Sequence, residues 1–151
     1  IKQELIKKFE LEAQIESKDF TRYKINDLLQ VDFVNDIEYR YKDLVETDEG
    51  YLVDNVENIL SNKLTAVIGR DNPKDVFDIY LIWKYYDFSW HEILESSHKK
   101  AAFSDDDLLV RLKSFPKKLL ENIKLKDTEF LINFDTEFPR LTKELCAVII
   151  E

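Results

Sequence analysis

Residues 53–83, VDNVENILSNKLTAVIGRDNPKDVFDIYLIW, decide the fold that the sequence predicts. Apolar residues recur at helical spacing on both sides of a short polar break, which indicates two consecutive helices. Asp54 followed by Glu57 resembles a capping box, so we expect the first helix to span residues 55–68. Gly69 is a natural residue to end that helix.

Helical patterns continue from this stretch almost to the end of the chain. Asn72-Pro73 opens the second helix, because proline is favoured at the first helical position, and the pattern stops around Asp87. A third helix is expected from Ser89 or Trp90, and a fourth is capped by the run Ser104-Asp105-Asp106-Asp107. The last helix is expected from about Pro139 to Ile150.

Before residue 50 the pattern is that of β-strands. Short segments alternate apolar and polar residues or are rich in β-branched and aromatic ones. A helical segment, IKQELIKKFE, precedes strands predicted over 11–17, 20–26, 28–34 and 37–41. We therefore predict an α+β protein, with a sheet region over residues 1–50 followed by a helical bundle over residues 51–151.

Composition excludes several classes of protein. The net charge of −9 argues against a protein that coats nucleic acid electrostatically, and the single cysteine, Cys146, excludes an intramolecular disulfide. With two glycines, the chain cannot form a glycine-rich phosphate loop. No apolar run approaches about 18 residues and no signal peptide opens the chain, so we expect a cytoplasmic protein without a membrane partner. The chain begins IKQELIKKFE and contains no methionine, so we expect a fragment.

Lys63 is the first candidate for chemistry, because it falls inside the apolar stripe of its predicted helix. A lysine there must extend its ammonium to water or find an anion. Between Val76 and Trp83, Asp78 is the only charge. A helix that is apolar nearly all round is buried, so we expect Asp78 to be a buried carboxylate, which needs a partner. A structural ion pair of Asp78 with Lys63 or Arg70 explains it as well as catalysis does.

Two further carboxylates have ordinary explanations as well as functional ones. Asp75 lies one turn before Asp78 on the same face, and near the start of the helix its charge also suits the helix dipole. Asp32 interrupts the apolar segment LLQVDFV; aspartate is disfavoured in strands, so it either lines a site or lies on an exposed sheet face, which we favour. Together with Lys63 and Arg70, these carboxylates suit nucleotidyl transfer, in which carboxylates hold Mg²⁺ and cations contact the triphosphate, or an ionic core.

The run KLTAVIGRDNPKDVFDIYL, from Lys63 to Leu81, resembles the late motif of the AbiEii/AbiGii nucleotidyltransferase-like toxins. That motif is a lysine in a KLxA-type helix, an arginine, and then a [KR]D-x-x-D helix start that leads into an aromatic-rich helix. VDFVND, residues 31–36, resembles the strand that follows the family's metal-binding strand, and the resemblance covers roughly residues 10–110.

The resemblance implies a polymerase-β-like nucleotidyltransferase domain followed by helices, in a toxin of a toxin–antitoxin or phage-defence system. Residues 1–50 would then be part of the nucleotidyltransferase sheet, and residues 51–151 would carry the late motif. Lys63 and Arg70 would contact the nucleotide phosphates. Lys63, Asp75 and Asp78 would be catalytic, with Asp78 acting directly or orienting Lys63, and Asp32 would be a metal-binding carboxylate.

The chain departs from the family where the metal site should begin. The family's early glycine-rich turn and its D-x-D metal pair are absent from the sequence. A two-metal site needs several converging carboxylates, which Asp32 alone cannot supply. We therefore expect Mg²⁺ in the full-length parent only and expect this chain to be inactive.

Partners follow from the same resemblance: an NTP, an RNA (for example tRNA) or protein acceptor, and a cognate antitoxin. Lys99-Lys100 and Lys117-Lys118, with Arg111 and Lys113 between them, form a modest basic patch, either a solvated face or a contact for RNA phosphates. The alternatives are a non-catalytic helical interaction module, in which Lys63 and Asp78 form a structural ion pair, and a helical regulatory domain unrelated to the family.

Overall fold

The computed structural model describes residues 1–35, 39–125 and 127–150. The chain divides into two compact units, Ile1–Glu38 and Tyr39–Glu151, and each is described by itself. The first contains a three-stranded antiparallel sheet and the second a two-stranded sheet with the remaining helices, so the α+β class is confirmed.

The first unit is a short helix followed by a β-meander. α1 spans Lys2–Ile6, and strands β1 (Leu11–Glu16), β2 (Phe20–Ile25) and β3 (Leu29–Val34) pair in sequence order. Asn26 and Asp27 form the second turn with positive φ, a conformation that these short polar residues tolerate. The strands predicted over 11–17, 20–26 and 28–34 are confirmed.

The strand predicted over residues 37–41 is not formed by its described residues, 39–41. Residues 37 and 38 lie outside the described residues, and Tyr39 to Tyr41 are not in a strand. The backbone of Tyr41 is engaged elsewhere: its amide donates to Asn58 Oδ1 at 2.7 Å, and its carbonyl accepts from Asn55 Nδ2 at 2.8 Å. Side chains of the following helix therefore take the hydrogen bonds that a strand would have used.

The second unit opens with a hairpin that the sequence patterns did not predict. β4 (Val45–Glu46) pairs with β5 (Leu52–Val53), and Gly50 adopts a φ of 78° in the turn between them. Strands of two residues are too short to show an alternating pattern. The rest of this unit consists of α2 (Val56–Gly69), α3 (Pro73–Tyr85), α4 (Trp90–Lys100), α5 (Asp105–Lys113) and α6 (Phe134–Ile150), with 3-10 helices at Lys117–Asn122 and Thr128–Leu131.

The ends of α2 differ from the sequence prediction by one residue each. Asn55, not Asp54, is the N-cap, and its side chain accepts from the amide of Asn58. Gly69 is the last residue of the helix, and the chain leaves through Arg70 in an extended conformation, with φ −157° and ψ 154°. The predicted opening of α3 is confirmed, with Asn72 as N-cap and Pro73 in the first turn.

α6 begins earlier than predicted. Its first residue is Phe134, and Pro139 lies inside the helix, so the prediction of a start at Pro139 is wrong. Phe134 and Phe138 are both buried and stack with ring centroids 4.6 Å apart. Burial of these rings on one helix face favours the extra turns despite the backbone hydrogen bond that Pro139 cannot donate.

The core of this unit lies among the five longer helices. α2 packs against α3, α4 and α5, and α6 contacts α3, α4 and α5. Leu60, Leu64, Ile79, Ile93 and Leu141 are completely buried there. In the described part of the chain, no helix combines the length and the apolar character that crossing a bilayer requires.

Candidate functional site

The junction between α2 and α3 brings four of the predicted site residues together. Lys63 lies on α2, Arg70 caps its C-terminal end, and Asp75 and Asp78 lie on the first turns of α3. The extended conformation of Arg70 and the Asn72-Pro73 start of α3 reverse the chain within a few residues. The two helices therefore pack side by side and align their charged residues.

Asp75 is the centre of the cluster. Its side chain is 0% exposed, and both carboxylate oxygens accept hydrogen bonds from cations. Arg70 donates from Nε to Oδ2 at 2.7 Å and from Nη2 to Oδ1 at 3.0 Å, and Lys63 Nζ lies 3.0 Å from Oδ1. A buried carboxylate with this many charge-assisted hydrogen bonds is fully satisfied.

Lys63 lies between the two aspartates, since its Nζ is also 2.6 Å from Asp78 Oδ2. The predicted pairing of Lys63 with Asp78 is confirmed. The expectation that Asp78 is the buried carboxylate is wrong: its side chain is 38% exposed, and Asp75 takes the buried position. From Asp75 to Tyr80 on α3, Asp78 is the one residue that is not buried.

Hydrogen bonds within the cluster favour the charged forms of Asp75, Lys63 and Arg70. Burial acts to raise the pKa of Asp75, but the hydrogen bonds from Arg70 and Lys63 outweigh it, and the pKa falls below its ordinary value. Burial acts to lower the pKa of Lys63, yet Asp78 and Asp75 raise it overall. The hydrogen bond with Asp75 also raises the pKa of Arg70.

These shifts decide what the cluster can do chemically. A general base or acid works best with a pKa near the operating pH, and Asp75 and Lys63 are both shifted away from neutrality. The cluster is therefore suited to holding fixed positive charges at the surface rather than to transferring a proton. Arg70, with a side chain 58% exposed, is its most accessible cation.

Asp32 lies in the other unit, on β3. Arg22 on β2 is directly opposite and donates to both of its carboxylate oxygens, Nε to Oδ1 and Nη2 to Oδ2, each at 2.7 Å. The expectation that Asp32 lies on an exposed sheet face is confirmed. The hydrogen bond from Arg22 also lowers the pKa of Asp32, a cross-strand ion pair of the ordinary kind.

The carboxylates do not fit a magnesium site in the described part of the chain. Both oxygens of Asp32 are bound by Arg22, and both oxygens of Asp75 are bound by Arg70 and Lys63. No group of three potential metal ligands lies together among the residues described.

A pocket opens beside Arg70, and we call it the junction pocket. Its volume is about 500 Å³. Its polar lining consists of Arg70, Asp71, Asn72, Arg111 and Ser114, and its apolar lining of Val67, Val76, Phe115, Pro116 and Leu119. Arg111 was predicted only as part of a basic patch; in the fold its Nη1 donates to Asp71 Oδ1 at 2.9 Å. Nothing in the local sequence of α5 indicates that Arg111 lines this pocket.

Asp78 borders a second, more open groove of about 300 Å³. Its remaining lining is apolar or aromatic: Val56, Ile59, Leu81, Ile82 and Tyr86. The charged cluster thus has one cation at the junction pocket and one carboxylate at this groove.

No family model, curated protein or solved structure matches the chain.

Proposed function

We propose that this chain is the nucleotide-binding part of a nucleotidyltransferase-like toxin of a bacterial toxin–antitoxin or phage-defence system. The reaction would transfer a nucleotide from an NTP to RNA or protein and would require Mg²⁺. The proposal rests on the resemblance of the stretch from Lys63 to Leu81. One structural observation supports it: the four charged residues of that stretch form a single cluster at the surface.

Each residue of the cluster has a role under this proposal. Asp75 fixes two cations from beneath, because it is buried and accepts from both. Arg70 and Lys63 would then contact phosphate oxygens without having to be ordered at the moment of binding. Asp78 would orient Lys63, from which it lies 2.6 Å, rather than act as a base.

NTP binding is the direct test. Isothermal titration of the chain with each NTP and Mg²⁺ should show binding that Arg70→Gln weakens about 10-fold, because one charge-assisted contact is lost. Arg70→Lys should recover part of the loss, since it keeps the charge over Asp75 without the planar fork. Arg140→Gln removes an exposed arginine on α6 and is the matched control.

The outcomes separate clearly. Loss of affinity in Arg70→Gln with unchanged affinity in Arg140→Gln would support the proposal, once circular dichroism shows that both variants are folded. Absence of NTP binding by the unmodified chain, or equal affinity in all variants, would overturn it.

A second candidate is a helical interaction module that binds a protein such as an antitoxin. The close Lys63–Asp78 contact of 2.6 Å favours it, because an ion pair that bridges α2 and α3 is sufficient to explain both residues. Asp78→Asn, which removes the partly exposed partner and keeps the hydrogen bond from Lys63 to Asp75, should then leave the fold intact, and NTP titrations of the unmodified chain should be flat.

A further inference from the structure

The junction pocket has the dimensions and the lining of a small-molecule site. Its volume of about 500 Å³ falls in the range of ligand pockets, roughly 300–1,000 Å³. Apolar side chains line one part of it and a few polar groups converge on the rest, the usual composition of such sites. Two of the polar groups are guanidinium groups, which suits an anionic ligand.

Arg70 is already positioned for a ligand. Its Nε and Nη2 donate to Asp75, and the described residues supply no acceptor to its Nη1. Because the buried carboxylate holds the guanidinium plane, binding an anion at the remaining edge costs little conformational entropy.

The positive charge of Arg111 is only weakly neutralised by its ion pair. Its partner Asp71 is 86% exposed, and an ion pair so open to water contributes little. A phosphate group carries more negative charge than a carboxylate and accepts bidentate hydrogen bonds from arginine, so it would displace Asp71 from Arg111.

The start of α3 adds a third favourable feature. Asn72, the N-cap of this 13-residue helix, lines the pocket, so the positive end of the helix dipole lies at its edge. The apolar lining, including Phe115 and Leu119, leaves room for an organic group beside the anion. A bare inorganic ion would leave that part of the pocket unused.

We propose that the junction pocket binds the polyphosphate of a nucleoside triphosphate between Arg70 and Arg111, with the organic part of the ligand against Phe115. The identity of the ligand rests on the proposed function, whereas the assignment of Arg111 and Asp71 to its site comes from the pocket alone. Arg111 is thus a phosphate-binding residue from α5, outside the stretch that resembles the toxin motif.

Calorimetric titration with inorganic tripolyphosphate and with the NTPs tests this assignment. Arg111→Gln should weaken both ligands about 10-fold, whereas the matched control Arg140→Gln should change neither. Asp71→Asn should strengthen both several-fold, because it removes the carboxylate that competes for Arg111. Asp48→Asn, at an exposed position in the β4–β5 turn, controls for the change in net charge. A gain in affinity cannot arise from misfolding, so Asp71→Asn remains informative if Arg111→Gln is unstable.

The results distinguish this assignment from the proposed function. NTP binding that depends on Arg70 but not on Arg111 or Asp71 would overturn the assignment of the junction pocket as the binding site and would still support the proposed function. Tripolyphosphate binding that depends on Arg111, without any NTP binding, would overturn the nucleotide as the ligand. A loss in Arg111→Gln together with a gain in Asp71→Asn, for both ligands, would establish the site.

Discussion

Arg70 and Asp75 form a two-pronged ion pair in which the carboxylate is completely buried and the guanidinium is largely exposed. The Nε–Oδ2 and Nη2–Oδ1 distances are 2.7 and 3.0 Å. This asymmetry means that the carboxylate depends on the pair for its solvation, whereas the guanidinium keeps contact with water. Asp78, the other aspartate of the cluster, is 38% exposed and keeps contact with water. Substitutions of Asp75 and of Asp78 should therefore have unequal effects on stability.

Asp75→Ala should destabilise the fold strongly. It leaves Lys63 and Arg70 without their shared anion and creates a space beneath them, so we expect a loss of about 3 kcal/mol in the free energy of unfolding. Asp78→Ala, at a position 38% exposed, should cost less than about 1 kcal/mol. Urea unfolding of both variants measures the difference, and equal losses would contradict the buried position of Asp75.

Stability should fall at acid pH through Asp75. Its pKa is lowered in the folded chain, so the unfolded chain binds more protons as the pH falls below the ordinary value of 3.8. The stabilisation by Asp75 is therefore complete above that pH and is lost as the pH falls through the folded value. Urea unfolding between about pH 5 and pH 2 should show a steeper loss in the unmodified chain than in Asp75→Asn. Parallel curves would contradict the assignment.

Removal of the N-cap of α2 should be costly. The Asn55 side chain accepts from the amide of Asn58 and donates to the carbonyls of Tyr41 and Asp43. Asn55→Ala should lower the free energy of unfolding by about 2 kcal/mol, the upper end of measured cap losses. Ser104→Ala is the matched control, because Ser104 precedes α5 without a side-chain cap bond and should cost much less. Thermal unfolding of the pair would test the ranking.

The hydroxyl of Tyr80 should stabilise the contact between α3 and α6. It donates to Glu137, which also accepts from Lys84 at 2.7 Å, while the ring is completely buried. Tyr80→Phe keeps the ring and removes the hydroxyl, so we expect a loss of about 1 kcal/mol. Tyr85→Phe, with an exposed ring, should leave the stability unchanged. A loss as large in Tyr85→Phe would argue against a specific role for the Tyr80 hydroxyl.

The sequence predicted the order of helices and strands well, because their signals are local. Pro73 after Asn72 marked the start of α3, and alternation marked the three strands of the first unit. The hairpin at Val45–Glu46 and Leu52–Val53 was missed, since two residues cannot display a period. The early start of α6 was missed because Pro139 is a strong local signal that the buried Phe134 and Phe138 override.

The cluster was predicted in part, for a similar reason. Residues three positions apart on a helix share a face, so the association of Asp75 with Asp78 followed from spacing. The pairing of Lys63 with Asp78 was predicted because a charged residue on an apolar helix face needs a partner. Which aspartate is buried depends on how α3 packs, and the position of Asp75 near the helix start offered a sufficient explanation without burial. Arg111 reaches Asp71 across 40 positions of the chain, a contact that only the packed fold creates.

The extended exit of α2 through Arg70 has a consequence for ligand selectivity. The same guanidinium closes the helix junction and lines the pocket, so a ligand that pulled it away from Asp75 would leave Oδ2 of that buried carboxylate without a hydrogen-bond donor. If the junction pocket binds an anion as proposed, it would discriminate against molecules that need the whole guanidinium fork, such as a free carboxylate competing for the same two donors. It would favour molecules whose several acceptor atoms can reach Arg111 and the outer edge of Arg70 at once.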